Sequence, residues 1–311
     1  MKFQDVSQSP IRLAGNFAII GLLAVSLSSS SCKTNRPMET PQAGPGAINP
    51  QTNRAGGTAE RIEGYKDTPM LPGGKWHMHD PDRPQPAVVS PGAAFSQGAP
   101  PPSDAEMLFD GKDLSKWQNE RGGEAAWKVQ DGYVEIVHNG GIRTRGKWAD
   151  FQLHLEFAEP TVITGHGQAR GNSGVLIGNL YEVQIVDSYQ DKTYADGQAG
   201  ALYGQVPPLV NPAKPPGEWQ TYDIIWNSPR WNEKGELTQK ASVTVLFNGV
   251  VVQDKSEYIG STDGIGGQGF RQAPIYKQHP PEVFIELQDH NGNKVRFRNI
   301  WVRDLHLAER S

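Results

Sequence analysis

The sequence contains one cysteine, Cys32, among 311 residues. A single cysteine excludes an intramolecular disulfide and a cysteine metal cluster. The net charge is only −4, which gives no basis for proposing nucleic acid as a partner. Spacings typical of RNA-binding domains and zinc fingers are absent, as is a glycine-rich dinucleotide loop after a strand. We therefore expect neither nucleic-acid binding nor oxidation of a substrate by this chain itself.

Long apolar runs are also scarce. The run at residues 13–27 is shorter than the about 20 residues that a membrane span needs. Basic residues precede it and four serines follow it, which is the order of a secretory signal. Cys32 comes directly after the serines and resembles the lipidated first residue of a bacterial lipoprotein, although Ser29 stands where an aliphatic residue is usual.

These features predict a signal at residues 1–31 and an exported protein, periplasmic or at the outer membrane. Its contact with the membrane would be only through a lipid on Cys32. A soluble exported protein and a chance cysteine in a disordered start are the alternatives.

Glycine and proline are plentiful, with 35 and 24 residues. Together they form roughly a fifth of the chain, against a usual share of about 12%. Residues 32–63 have few large apolar side chains, so we predict a flexible tether there. Residues 64–103 lack periodicity but carry anchors such as Trp76 and Met78, which predicts an irregular arm and linker, with the arm near the edge of a cleft. A domain is predicted at residues 104–311.

Helical periodicity is missing from that domain, whereas alternation of apolar and polar residues is frequent. Residues 151–157 and 181–185 alternate, and so do residues 283–290. The pairs Asp131-Gly132, Asn139-Gly140, Asn248-Gly249 and Asn291-Gly292 stand between short apolar runs, as in hairpins. Many short strands separated by turns indicate an all-β sandwich or barrel.

Three of these strands combine an apolar face with a face rich in carboxylate, amide and imidazole groups. The polar positions include His154 and Glu156 on the first strand, Glu182 and Gln184 on the second. The third strand ends at His290 and places Glu286, Gln288 and His290 on one face. If all three strands belong to one sheet, they form a polar surface over a packed core.

Six segments occur in an order that resembles the 3-keto-disaccharide hydrolase domain family, within the concanavalin A-like lectin and glucanase superfamily. They are "LFDGKDLSKWQ", "GIRTRGKWADFQLHLEF", "GNSGVLIGNLYEVQIVDSY", "GALYGQVPPLVNPAKPPGEWQTYDIIW", "ASVTVLFNGVVVQD" and "IELQDHNGNKVRFRNIWVR". The resemblance covers about residues 107–305. It implies a concanavalin A-like β-sandwich of two antiparallel sheets and action on glycosides whose sugar is oxidised at carbon 3.

A ketone at carbon 3 acidifies the proton at carbon 2, so a base can remove that proton while the aglycone leaves from carbon 1. Water then adds, giving net hydrolysis. We expect Glu182 as the base and His290 as a second catalytic group. Further candidates for binding substrate are Asn172, Gln184, Tyr203, Gln205, Trp219, Glu286, Gln288 and Arg298. Each has a structural alternative, such as an ion pair for Arg298 or a core position for Trp219.

A divalent metal is compatible with Glu182, Glu286 and His290 if their strands are neighbours, but no close-spaced histidine motif supports it. A separate sugar oxidoreductase is implied as the source of the keto sugar. A carbohydrate-binding module on the same fold and a surface protein that binds other proteins are the alternative functions. The polar composition of the face favours sugar over protein.

Overall fold

The computed structural model describes residues 62–93, 96–262 and 271–305. The predicted signal, Cys32 and nearly all of the predicted tether lie outside these ranges. Within them the regular structure is β-strand apart from two 3₁₀ turns, Gly167–Ala169 and Ala195–Gly197. The strands are Ala87–Val88 (β1), Glu106–Phe109 (β2), Trp117–Asn119 (β3), Lys128–Gln130 (β4), Tyr133–Glu135 (β5), Ile142–Thr144 (β6), Phe151–Ala158 (β7), Ser173–Ile177 (β8), Tyr181–Ile185 (β9), Val210–Asn211 (β10), Gln220–Asn227 (β11), Arg230–Trp231 (β12), Leu237–Gln239 (β13), Ser242–Phe247 (β14), Val250–Glu257 (β15), Ile285–Leu287 (β16) and Arg296–Asp304 (β17).

Two antiparallel sheets form a sandwich, which confirms the predicted fold class. The large sheet has the order β15-β14-β11-β7-β17-β5-β4, with β2 also paired to β17. The small sheet has the order β3-β6-β16-β8-β9. The remaining pairs are β1 with β10 and β12 with β13. No helix within the described ranges is long and apolar enough to cross a membrane.

Alternation along the strands explains the core between the two sheets. Leu153 and Leu155 of β7 face inward from the large sheet, and Val183 and Ile185 of β9 face inward from the small sheet. All four side chains have no accessible surface. Because successive side chains of a strand point to opposite faces, the polar residues between them must lie on the outside of the sandwich.

The turn pairs have two different outcomes. Asp131-Gly132 and Asn248-Gly249 close hairpins, and all four residues have positive φ angles, as type I′ turns require. Asn139-Gly140 and Asn291-Gly292 do not form hairpins, because each lies in a connection between the two sheets. A turn sequence reverses the chain locally, whereas the choice of sheet depends on which face of the next strand is buried.

The arm, residues 64–92, is irregular apart from β1 and lies against the loop that follows β9. The His79 backbone N–H donates to Asp196 Oδ2 at 2.9 Å, and Arg83 Nη1 donates to the Gln205 carbonyl at 3.0 Å. The loop itself runs beside β9, where the Gln184 N–H donates to the Ala201 carbonyl at 3.0 Å. The arm therefore contacts the small sheet's edge through this loop.

Candidate functional site

The outer face of the small sheet carries a row of five side chains in register. Glu182 on β9 lies opposite Leu176 on β8, and Leu176 lies opposite Glu286 on β16. Glu286 in turn lies opposite Arg143 on β6, which pairs with Gln118 on β3. Neighbouring strands are about 4.8 Å apart and β8 lies between β9 and β16. The backbones of Glu182 and Glu286 are therefore roughly 10 Å apart.

A second row beside the first has glycines on both sides of Gln288. The Gln288 N–H donates to the Gly174 carbonyl at 3.0 Å, and the register of β16 with β6 places Gly141 on its other side. A Cβ on Gly174 would clash with Glu182 Oε1 and lie 3.1 Å from Glu182 Cδ. A Cβ on Gly141 would lie 3.1 Å from Glu286 Oε1. The Glu182 carboxylate therefore lies above Gly174 and the Glu286 carboxylate above Gly141, one on each side of Gln288. We call these two glycines the glycine floor.

Glu286 is buried, and burial is the main reason that its pKa rises, to about 7. Repulsion from Glu120 adds to the rise and Arg143 opposes it. Glu120 Oε1 accepts from the Gly141 N–H at 2.7 Å and also lies 3.1 Å from the point where a Gly141 Cβ would stand. Glu120 Oε1 and Glu286 Oε1 both lie 3.1 Å from this one point, so the two oxygens are at most twice 3.1 Å apart.

The backbone of Glu182 is fixed on both sides. Its N–H donates to Thr262 Oγ1 at 3.0 Å, and its carbonyl accepts from the Tyr258 hydroxyl at 2.9 Å. Its side chain is only 3% exposed. A carboxylate on such a rigid strand has a defined direction, which catalytic and binding groups require.

Three polar atoms on this side of the sandwich are buried and have no hydrogen-bond partner among the described residues. They are Gln288 Oε1, Arg143 Nε and His290 Nδ1. Buried polar atoms are almost always hydrogen-bonded in folded proteins. The three atoms are consequently candidates for contact with a ligand.

Amides form a network at one end of the second row. Gln184 Nε2 donates to Gln168 Oε1 at 2.8 Å, and Asn172 Nδ2 donates to the Gln168 carbonyl at 2.7 Å. Gln168 belongs to a 3₁₀ turn of the β7–β8 connection. The network fixes this connection to the outer face, so Asn172 acts mainly as a support for Gln168.

His290 lies beyond the end of β16, which stops at Leu287. Strand alternation therefore does not determine the direction of its side chain, and the prediction that His290 shares a face with Glu286 and Gln288 stays a prediction. His290 lines an open pocket of about 940 Å³ at the end of the sandwich, together with Gln168. Burial lowers the pKa of His290, so its imidazole is neutral near pH 7.

Tyr203 and Gln205 lie in the loop beside β9 but differ in their surroundings. The Tyr203 hydroxyl shares a 2.7 Å hydrogen bond with the Tyr194 hydroxyl. Gln205 is buried and bonds through both ends of its amide, to the Gly260 carbonyl at 3.2 Å and the Ile259 N–H at 2.7 Å. Gln205 is therefore a structural residue and not the predicted substrate contact.

Arg298 and Trp219 are on the other side of the molecule, which corrects their predicted place in the site. Arg298 lies on β17 of the large sheet, where Nε donates to Glu156 Oε2 at 2.8 Å and the guanidinium covers the Trp219 ring at 4.1 Å. Strand alternation shows that a face is polar but not which sheet it belongs to.

His154 and Glu156 also lie on the large sheet, so the three polar faces do not form one surface. His154 Nδ1 bonds Asp223 Oδ1 at 2.7 Å. Burial opposes ionisation of Glu156, yet the nearby His154 imidazole and hydrogen bonds from Asn299, the Gly98 N–H and Arg298 hold its pKa at about 2. This network attaches the linker to the back of the sandwich.

No metal centre is formed by the side chains that the structure describes. They contain no group of three or more histidine, cysteine, aspartate or glutamate residues that could hold an ion. The strands of Glu182 and Glu286 are separated by β8, so the neighbouring arrangement that a metal site would need does not exist.

Comparison with known proteins identifies the family of the domain. Residues 104–303 match the family described as the 3-keto-alpha-glucoside-1,2-lyase-like domain. The chain belongs to this family. No curated protein matches the sequence.

Two solved structures to which this chain is similar come from Parabacteroides distasonis ATCC 8503. A candidate glycosyl hydrolase from this organism is 43% identical, with a TM-score of 0.63, and the match covers 76% of this chain and 100% of that one. Another candidate glycosyl hydrolase is 25% identical, with a TM-score of 0.45, over 65% of this chain and 99% of the other.

Sequence reasoning missed Arg143, Glu120 and Gln168. Arg143 lies within one of the segments that carry the family resemblance, but β6 has only three residues, too few for a visible alternation. Glu120 and Gln168 lie outside the strands and reach the site through turns. Their positions depend on contacts between distant segments.

Proposed function

We propose that this domain cleaves 3-keto glycosides by removing the proton at carbon 2, eliminating the aglycone and then adding water. The observation that carries the proposal is the pair of carboxylates, Glu182 and Glu286, on either side of Gln288 above the glycine floor. Family membership supports the substrate class. A sugar ring placed over Gln288 would have one carboxylate on each side.

The elimination needs a base at carbon 2 and an acid at the leaving oxygen. Glu182 takes the proton from carbon 2, the electron pair forms the C1–C2 double bond, and the C1–oxygen bond breaks. Glu286 gives a proton to the leaving oxygen. A carboxyl with a pKa of about 7 is still partly protonated near neutral pH, which suits it to act as an acid.

Negative charge develops on the ketone oxygen during proton removal. Arg143 stands beside Glu286 in the first row and offers an unpartnered Nε, so it is the residue we assign to this oxygen. Gln288 Oε1 would accept from a sugar hydroxyl. Addition of water then places oxygen on carbon 1 and hydrogen on carbon 2.

The keto sugar would be supplied by a separate oxidoreductase, because the sequence has no dinucleotide-binding loop. Export through the signal at residues 1–31 and lipidation of Cys32 would place the enzyme in the periplasm or at the outer membrane. A loss of membrane association in a Cys32→Ser variant tests the anchor.

Turnover of a 3-keto glucoside by wild type, Glu182→Gln and Glu286→Gln tests the assignment. Removal of a general acid or base lowers kcat by about 10²- to 10⁴-fold. Glu257→Gln is the matched control, because Glu257 is an exposed carboxylate on the large sheet, paired with Lys240. Each assay is repeated with a chelator, which tests for a metal.

Wild-type activity in both carboxylate variants would refute the catalytic assignment. Binding of unoxidised glycan with no release of aglycone from any 3-keto substrate would instead favour a carbohydrate-binding module.

A further inference from the structure

The pocket at the end of the sandwich continues from the proposed catalytic face. It has a volume of about 940 Å³ and shares His290 and Gln168 with that face. We call it the end pocket. Its volume is in the range of pockets that enclose drug-sized molecules.

One wall of the end pocket comes from the β7–β8 connection. Its apolar part is formed by Pro160, Val162 and Ala169, and Val162 is 73% exposed. The next residue, Ile163, is 53% exposed on the same loop. The same connection adds polar groups from Thr161, Thr164 and Gln168. Val162, an exposed aliphatic side chain in the pocket lining, can bury apolar area when a ligand binds.

The loop behind this wall is held in place by hydrogen bonds. The Gly167 N–H donates to Asp191 Oδ2 at 2.7 Å, and Gln168 Nε2 donates to the Gly197 carbonyl at 2.9 Å. Such a wall is preorganised, so little conformational entropy is lost when a ligand binds against it.

The opposite wall is polar but electrically balanced. Glu63 and Glu135 carry negative charges, while Lys294 and Arg296 carry positive ones. Arg296 is the cross-strand partner of Glu135. Asparagines 291 and 293 complete this wall with neutral donors and acceptors. A ligand of either net charge would gain little, whereas a neutral one with a few hydroxyls would match both walls.

We propose that the end pocket binds the aglycone, and that the aglycone is a neutral, mainly apolar group of at least ring size. This inference rests on the proposed function, because it takes the sugar ring to lie over Gln288. A second sugar fits less well, since no tryptophan, tyrosine or phenylalanine is among the described lining residues to stack on it.

The test compares methyl and cyclohexylmethyl 3-keto-glucosides with a 3-keto disaccharide. The two alkyl leaving groups have similar acidity, so a difference in kcat/KM reports mainly on binding of the ring. Burying a side chain of valine size stabilises a complex by about 1.5–3 kcal/mol, or roughly tenfold or more in affinity. We expect wild type to prefer the cyclohexylmethyl substrate about tenfold over each of the others.

Val162→Ser should reduce that preference about fivefold. Val251→Ser is the matched control, because Val251 is 43% exposed on the large sheet, and it should keep the preference. Equal turnover of the two alkyl substrates, preference for the disaccharide, or an unchanged preference in Val162→Ser would overturn the inference.

A binding measurement separates this inference from the proposed function. Ligand-observed NMR with unoxidised cyclohexylmethyl and methyl glucosides needs no turnover. Stronger binding of the cyclohexylmethyl compound, weakened by Val162→Ser, supports the pocket even if no 3-keto substrate is cleaved. Equal binding of the two compounds contradicts it, and absence of turnover alone refutes only the proposed function.

Discussion

Replacing Glu286 by glutamine should make the protein more stable at alkaline pH while removing its activity. The pKa of Glu286 rises from its ordinary 4.5 to about 7, because the side chain is buried and Glu120 is near. Between these two pH values the folded state keeps a proton that the unfolded state has lost, so stability falls as pH rises. Above pH 7 the full cost of the buried charge is present.

The size of the effect follows from the shift. One pKa unit corresponds to about 1.4 kcal/mol, so the charged carboxylate destabilises the fold by about 3 kcal/mol above pH 7. Part of that cost is already present at pH 5. We therefore expect the stability gain of Glu286→Gln to be about 2–3 kcal/mol larger at pH 8.5 than at pH 5.

Urea unfolding followed by tryptophan fluorescence at the two pH values measures this difference. Glu257→Gln serves as the control, since Glu257 is an exposed carboxylate on the large sheet, paired with Lys240, and its replacement should change stability little. An equal stability change for Glu286→Gln at pH 5 and pH 8.5 would refute the claim that Glu286 is a buried carboxyl with a raised pKa.

Three further predictions concern positions away from Glu286. Gly174→Ala should lower turnover at least tenfold, because the added Cβ displaces the Glu182 carboxylate. Gly92→Ala should be neutral, because a Cβ there meets no atom within 4 Å. Equal activity of the two variants would contradict the glycine floor. Arg298→Ala should keep kcat/KM within twofold. It should lower the free energy of unfolding by about 1 kcal/mol, because Glu156 loses a charged hydrogen-bond partner. A large loss of kcat/KM at full stability would show that Arg298 belongs to the catalytic site. Asp196→Asn should speed proteolytic cleavage within the arm, because His79 and Arg83 lose their common carboxylate, and an unchanged cleavage rate would show that other contacts hold the arm.

Much of the fold could be predicted from local sequence pattern. Alternation in β7 and β9 indicated strands with one apolar face, and the structure confirms this. The same pattern could not assign strands to sheets. Glu156 and Glu182 look alike in sequence, yet they lie on opposite faces of the sandwich, because sheet membership is decided by long-range pairing.

The candidate site could be predicted only in part, for a related reason. Glu182, Gln184, Glu286 and Gln288 lie on one face as expected. The roles of Gly141 and Gly174 depend on cross-strand register, which one strand's sequence does not contain. The direction of the His290 side chain could not be predicted from alternation, because β16 ends at Leu287.

The most direct test of the central claim is the position of deuterium after cleavage of a 3-keto glucoside in D₂O. Elimination followed by addition of water predicts deuterium at carbon 2 of the released sugar at the earliest times measured, with no matching incorporation in substrate incubated without enzyme. Release of sugar with hydrogen retained at carbon 2 would contradict proton removal and, with it, the roles assigned to Glu182 and Glu286.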